Sequence, residues 1–552
     1  MSGRGRIVEF HRLSQIEKQT LLNIVENIVK RNKLSAVCAY GSKVAGYAKP
    51  DSDYDTLIVL EDYRNKIKYH YIEDEFNVSA LLVDQDALIA DANRALLGEF
   101  VIGRLLNIYE PLIGEEFLWD VETAYKKRVM LEILYEIASI HGPFITEIIF
   151  PLEYFLFEKL KKRATIYPPA LYSYVKTYSG AYSSENLKAS LKGFEEAAIK
   201  LEQEGLISYT NGIVRVRRKD LANKLARILS LLTYATRGIA QYAVHTYAGR
   251  VKPSVVSKEI ISKISRSRDI GEVPEKLRQP KQLWKIEEGL LIVEGEDWIY
   301  QIAEALGLKK TFKLIKGDQL GEIYNISRVY ILDDGINTIK LVVKKFKDIK
   351  SLKWALLGLW TFTKRFSMTP ISRLYREYYA IRTLRRYGLN TPEIVSVILG
   401  DRILVTKFID GVDLQKIICN LYEGKDGEEF VKIYGEAIGM AHKAGYTLGD
   451  TKPSNAIIFN GKLYLTDLEQ ASFGGDKAWD IAEFIYYSSK LTLNTQIVKK
   501  ITESFLDGYL KYGDINAVIN AMNHRYLAPF ITLLMPQAIK AINEIIKKKV
   551  KY

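Results

Sequence analysis

At 552 residues the chain is too long for a single core, and roughly two to four domains are expected. Hydrophobic residues make up 48% of it, yet no apolar run is long enough to span a bilayer, which excludes a helical membrane protein. Two distant cysteines, Cys38 and Cys419, and six histidines argue against a disulfide framework or a structural zinc site, while the net charge of +13 fits either a polyanionic partner or ordinary surface lysine.

The stretch MSGRGRIVEF has no apolar signal region, so a cytoplasmic protein is expected. Abundant Lys, Glu, Ile and Tyr beside scarce Cys, Met and His match the composition of heat-adapted proteins. An apolar-periodic helix over residues 15–29 comes first. Strand, turn and strand follow in LSAVCAYGSKVAGYAKPDSDYDTLIVLED, and the hairpin KIKYHYIEDEFNVSALLV completes a compact α/β domain over residues 1–120. Residues 121–220 read as helical and close with a long helix and a hairpin around Asn211-Gly212, the way a winged helix finishes. Arg215, Arg217, Arg218 and Lys219 would decorate that wing as RNA contacts, or merely solvate it. Residues 221–302 read as helices and a connector, with RSRDIGEVPEKLRQPKQ the most polar part.

Residues 303–552 carry the strongest chemistry. Phosphoryl transfer needs phosphates clamped, magnesium held, and the attacking hydroxyl aimed and deprotonated. In IKGDQLGEIY, a turn between two strands, Gly317 and Gly321 would let backbone N–H groups approach the phosphates of ATP. The strand IKLVVKKF carries Lys344 for the α and β phosphates, with Lys345 the alternative if the register is off by one. Glu377, in SRLYREYYAIRTLRRYG, is placed to pair with that lysine, although an exposed Glu–Arg helix face is the plainer explanation. In TLGDTKPSNAIIFNGKLYLTDLEQA, Asp450 and Asn455 keep the five-residue offset of a kinase catalytic loop. Asp450 would receive the hydroxyl proton, Lys452 would neutralise the transferring phosphate, and Asn455 and Asp467 would hold Mg2+. Asp480, in AWDIAEF, would brace the loop.

These motifs resemble the RIO and KEOPS-complex kinases and their archaeal relatives over residues 310–490. The resemblance implies a bilobal, protein-kinase-like domain using ATP and Mg2+. Leu448 replaces the usual catalytic-loop His, which weakens a structural prop, and Gly449 stands where an arginine would receive an activating phosphate. DLE replaces D-F-G, so Glu469 is either an added metal ligand or a helix cap. The segment from Asp467 to Asp480 is too short for a peptide-docking floor.

YGSKVAGYAKPDSDYDTLIVL, in turn, resembles the nucleotidyltransferase superfamily that includes polymerase β and the CCA-adding enzymes. The resemblance implies that Gly41 and Ser42 hold nucleotide phosphates and that Asp53 and Asp55 carry metal. That family needs a third carboxylate on a neighbouring strand. The matching position is Ser79, and neither Asp84 nor Glu73, Asp74 and Glu75 fit the register, so a degenerate domain binding RNA ends or nucleotides is expected.

The fold expected is multidomain α+β: a nucleotidyltransferase-like α/β domain, a helical and winged-helix middle, and a bilobal kinase-like domain. With the attached modules, the motifs GDTKPSN and TDLEQA look like the archaeal RNA kinases that phosphorylate tRNA at an internal 2′-hydroxyl. RNA, tRNA above all, is therefore the expected partner, and the oligomeric state is left open. A RIO-like Ser/Thr protein kinase or ATPase is one alternative; an active nucleotidyltransferase regulated by its kinase lobe is the other.

Overall fold

The computed structural model describes residues 12–30, 32–73, 75–217, 272–295, 297–320, 326–347, 369–490 and 493–550. The chain divides into two compact units, Met1–Lys285 and Ile286–Tyr552.

The first unit opens with α1, Gln15–Val29, started by a capping box in which Ser14 and Glu17 satisfy each other's backbone N–H groups. Its apolar stripe, Leu21, Ile24 and Val25, packs on a sheet core of Val37, Ile58, Leu60 and Leu82. That sheet consists of β1 (Leu34–Tyr40), β2 (Tyr54–Leu60), β3 (Ile67–Glu73), β4 (Asn77–Asp84) and β5 (Tyr109–Ile113). Their order is β3-β4-β2-β1-β5, and only β2 and β4 run parallel. Between β1 and β2 lies the single-turn helix α2, Ser42–Ala45. The helix α3, Gln85–Arg94, follows β4 with Asp84 as its N-cap.

A helical region comes next: α4 (Glu115–His141), the short strand β6 (Ile149–Pro151), α5 (Leu152–Ile166), α6 (Ala170–Ser179) and α7 (Ser183–Gln203). The hairpin β7 (Ile207–Thr210) and β8 (Ile213–Val216) turns on Asn211 and Gly212, both at positive φ, and pairs with β6. Helix, hairpin and the Asn-Gly turn thus stand where the sequence placed them. Arg215 is half-buried on β8, and exposed Arg217 faces Glu202 at 3.6 Å. Arg218 and Lys219 lie outside the described residues.

The connector expected over 221–302 divides. Trp284 packs edge-on against Phe150 and Tyr154, both at 5.4 Å, so the last part of the first unit closes on β6 and α5. Two further elements that begin within the stretch assigned to the connector belong to the second unit: β9, Leu290–Ile292, and α8, Trp298–Ala305, which runs past its end at residue 302. The reason is a distant partner. The three residues of β9 find their ladder on Ser396–Ile398, far along the chain.

The second unit continues through β10 (Lys313–Leu320), β11 (Ile326–Asp333), β12 (Thr338–Lys345), the helix α9 (Pro370–Arg386), β13 (Ile394–Ile398) and β14 (Ile403–Lys407). The six-stranded sheet has the order β10-β11-β12-β14-β13-β9. Leu332, Leu341, Val343 and Val405 form its core with Ile302 of α8. After β15 (Val412–Asp413) come α10 (Leu414–Tyr422) and α11 (Glu428–Lys443). Three further short strands are β16 (Tyr446–Thr447), β17 (Ala456–Phe459) and β18 (Lys462–Leu465), and the last is β19 (Ser472–Phe473). The chain closes with α12 (Lys477–Ser489), α13 (Thr495–Tyr509), α14 (Ile515–Ala521) and α15 (Pro536–Val550). Helices α11 and α13 approach until a Cβ on Gly435 would stand 2.1 Å from the Phe505 carbonyl oxygen. The architecture is multidomain α+β, and no described helix is long and apolar enough to cross a membrane.

Candidate active site

Alternation along β12 decides which of two adjacent lysines joins a buried cluster of carboxylates in the second unit. Leu341 and Val343 point into the sheet core, so Lys344 emerges on the opposite face, where it is buried. Lys345 instead reaches Asp401 at 2.7 Å. The Lys344 ammonium meets Glu377 at 2.6 Å, Asp467 at 2.5 Å and Glu469 at 3.3 Å. Glu377 is therefore no exposed helix-face residue. It projects from α9 into this cluster, and Arg373, one turn earlier, joins it from behind. Arg373 donates to the Lys347 carbonyl at 2.5 Å and to Glu469 at 3.4 Å.

Charge balance governs this cluster. Burial alone would lower Lys344, but the carboxylates of Asp467, Glu377 and Glu469 outweigh it and hold the ammonium well above its usual range. Burial would raise Asp467, yet Lys344 wins and keeps it below the ordinary value. Glu377 takes the opposite course: burial pushes it up to about 7, with Lys344 opposing and the neighbouring acids reinforcing the rise. Lys344 and Arg373 balance most of this charge, and one oxygen each of Glu377, Asp467 and Glu469 lie within 4.8 Å of one another, a spacing that could hold a metal ion.

The loop from Leu448 to Asn455 is fixed almost peptide by peptide. Asp480, fully buried on α12, accepts the backbone N–H groups of Leu448 at 2.6 Å and Gly449 at 2.8 Å. One helical turn on, Glu483 accepts the Thr451 N–H at 2.8 Å and the Trp479 indole at 3.1 Å. The Thr451 hydroxyl donates to the Asp480 carbonyl, and the Tyr434 phenol to the Thr451 carbonyl. Within this frame Asp450 lies 3.2 Å from the Lys452 ammonium, and the Asn455 amide donates to the Asp450 carbonyl at 3.1 Å. Burial would lower Lys452, but Asp450 beside it carries the balance and raises it. Thr466 donates twice to the Asn455 carbonyl, at 2.9 and 3.1 Å, which joins the loop to Asp467. Asp467 itself sits at φ 53, the left-handed region.

The expected weakness at Leu448 is corrected by another residue. His442, buried at the end of α11, places Nε2 3.1 Å from Asp480 and Nδ1 3.0 Å from the Tyr509 hydroxyl. An imidazole therefore does support this loop, from six positions earlier in the chain. The phosphate turn needs correction too. Gly317 lies within β10, at an irregularity between Lys316 and Gln319, and faces Val329 rather than forming a turn. Gly321 lies outside the described residues.

In the first unit, Gly41, Ser42, Asp53 and Asp55 line one cavity of about 370 Å³. Gly41 has φ +80, and a Cβ there would stand 2.2 Å from an Asp55 carboxylate oxygen. The parallel register of β2 and β4 sets Asp55 opposite Ser79, where the third carboxylate would be needed. Asp84 is occupied elsewhere, accepting from the backbone of Tyr63 and Ala87 and from Lys66. Besides Asp53 and Asp55 the cavity wall carries Asp51, while across the β2–β4 ladder Asp55 faces Ser79 and not a carboxylate.

A family profile described as "Nucleotidyltransferase domain" matches residues 21–106. Over 104 residues the chain is 33% identical to the KEOPS complex subunit Bud32 of Pyrococcus abyssi, covering 18% of this chain and 46% of that protein. The chain thus spans less than half the length of this relative. A probable serine/threonine-protein kinase BUD32 homolog of Archaeoglobus fulgidus is 23% identical over 163 residues, 28% of this chain and 78% of its own. A probable bifunctional tRNA threonylcarbamoyladenosine biosynthesis protein of Methanoculleus marisnigri is 28% identical over 137 residues, covering 25% and 24%. The chain carries a nucleotidyltransferase domain together with a segment homologous to Bud32-type kinases.

Proposed function

We propose that the C-terminal unit transfers the γ-phosphate of ATP to a hydroxyl, with an internal ribose 2′-hydroxyl of tRNA as acceptor and the N-terminal modules binding the RNA. The observation that carries this is the braced loop with Asp450 beside Lys452. Asp450 accepts the proton of the attacking hydroxyl, and the Lys452 ammonium meets the charge on the phosphate in transit. Lys344 turns from its carboxylates to the α and β phosphates. Asn455 and Asp467 would hold Mg2+, which supplies screening of the phosphate oxygens when bound.

Three observations support RNA as acceptor: the net charge of +13, the absence of room for a peptide-docking floor between Asp467 and Asp480, and the tRNA-related name of the Methanoculleus relative. A RIO-like protein kinase or ATPase is the second reading, favoured by the printed name of the Archaeoglobus relative. Purified protein offered ATP radiolabelled at the γ or the α phosphorus, with tRNA and a protein extract, separates the readings. Gamma label in tRNA is expected. Gamma label only in protein would establish the second reading, and no transfer of γ label would refute both. Asp450→Ala should abolish transfer while ATP still binds.

A further inference from the structure

The sequence allows Glu469 two roles, an added metal ligand or a helix cap. No helix begins at Glu469, since α12 starts at Lys477 and is capped by Asp476. Glu469 is instead buried, with one carboxylate oxygen 3.3 Å from the Lys344 ammonium and the other 3.4 Å from the Arg373 guanidinium. Arg373 is only 2% exposed, and its second terminal nitrogen donates to the Lys347 carbonyl at 2.5 Å. The guanidinium centre lies 5.8 Å from the middle of the Phe346 ring. The planar fork thus spans the chain just after β12 and the segment just after Asp467, a reach that a single ammonium lacks.

Arg373 stands in the first turn of α9, where the helix dipole disfavours a cation, so its partners and not helix stability account for its place. It precedes Glu377 by one turn, and the two side chains share a face of the helix. They carry opposite charges to different elements. Glu377 takes Lys344 of β12, and Arg373 takes Glu469. In the kinase proposal Lys344 leaves its carboxylates for the phosphates of ATP. Glu469 then depends on Arg373 for its counter-charge, because a buried carboxylate without one is costly.

We infer that Arg373 and Glu469 are positioning residues: their ion pair pins α9 to the segment after Asp467 and keeps Glu377 within reach of Lys344 through the transfer cycle. The charge of Glu469 is matched by a protein cation, and Asn455 and Asp467 remain the magnesium ligands of the kinase proposal. The effect on transfer rests on that proposal, whereas the pinning of α9 does not. Glu377, Asp467 and Glu469 are also spaced closely enough for a cation, so a metal role for Glu469 is the outcome to be separated from a pinning one.

The test compares the full chain with Glu469→Gln, Arg373→Met and the two combined. The double variant strands neither charge, so it folds even where a single substitution does not. Amide exchange over Pro370–Arg386 is followed by mass spectrometry without nucleotide, beside γ-label transfer from ATP at graded Mg2+. Exchange across α9 should quicken about tenfold or more in each variant, and the double variant should be no faster than the faster single one. The kcat should fall by about tenfold or more, with half-saturating Mg2+ within about twofold of the parent. A raised Mg2+ requirement with α9 exchange unchanged makes Glu469 a metal ligand and overturns the inference. Unchanged exchange in all variants, additive effects of the two substitutions, or faster exchange with an unchanged kcat overturns it equally. A parent that transfers no γ label to tRNA or protein refutes the kinase proposal, and exchange alone then decides whether the pair pins α9.

Discussion

Replacing Asp480 by Asn removes one charge and almost no volume, which isolates what the carboxylate does for the catalytic loop. One of its oxygens accepts the Gly449 N–H at 2.8 Å; the other accepts the Leu448 N–H at 2.6 Å and faces His442 Nε2 at 3.1 Å. An amide has a single acceptor oxygen, so in either orientation its NH2 group points at a backbone donor. The variant loses at least one charge-assisted hydrogen bond, about 1.5–3 kcal/mol, and strands a buried N–H, about 1–3 kcal/mol more. Destabilisation of roughly 3–5 kcal/mol is expected for the second unit. A displacement of the loop near 1 Å would slow phosphoryl transfer by about a hundredfold. The affinity for ATP should change little, because the Lys344 cluster keeps all its contacts. Urea unfolding and steady-state transfer kinetics read these separately. Stability within about 1 kcal/mol of the parent would refute the claim that Asp480 is the loop's anchor.

Two further substitutions test other parts of the same unit. Glu377 has a pKa pushed up to about 7 by burial, against an ordinary 4.5, so its contribution to stability is full below about 4.5 and is lost as pH rises through about 7. Glu377→Gln should flatten denaturation midpoints across that window, by at most roughly 3 kcal/mol, and an unchanged pH profile would count against the shift. Gly435→Ala would set a Cβ 2.1 Å from the Phe505 carbonyl oxygen, so α11 and α13 must separate; a loss of about 1–3 kcal/mol, read as a lower Tm, is expected.

Much of this architecture could be read from the sequence because local patterning agreed with the fold. The apolar period of α1, the turn at Asn211-Gly212 and the apolar alternation of β12 all act over a few residues. The choice between Lys344 and Lys345 stayed open in the sequence because a strand's facing depends on which side holds the core. Leu341 and Val343 settle it. Ser79 could be named as the partner of Asp55 because β2 and β4 are regular and run parallel. What escaped was held by distance in the chain. A lone His442 in a helix, an Arg373 in a run of arginines, and a Glu483 beyond the recognised Asp480 have no local signature; each becomes informative only once folding brings it against the loop or cluster. The same applies to β9, whose partner strand lies about a hundred residues further on. Gly317 misled because a glycine between strand-like runs suggests a turn, whereas here it marks an irregular pairing inside β10.

The anchoring of the Leu448–Asn455 loop on α12 also bears on how this part of the molecule opens. Peptide N–H groups in surface loops ordinarily trade their hydrogens with water through small local excursions. Those of Leu448, Gly449 and Thr451 are instead bonded to carboxylates rooted in a buried helix, and freeing them means withdrawing two charges from their partners in the protein interior. Their amide exchange is therefore tied to cooperative unfolding of the surrounding helices, so a segment that is irregular in backbone shape behaves as part of the slowest-opening core.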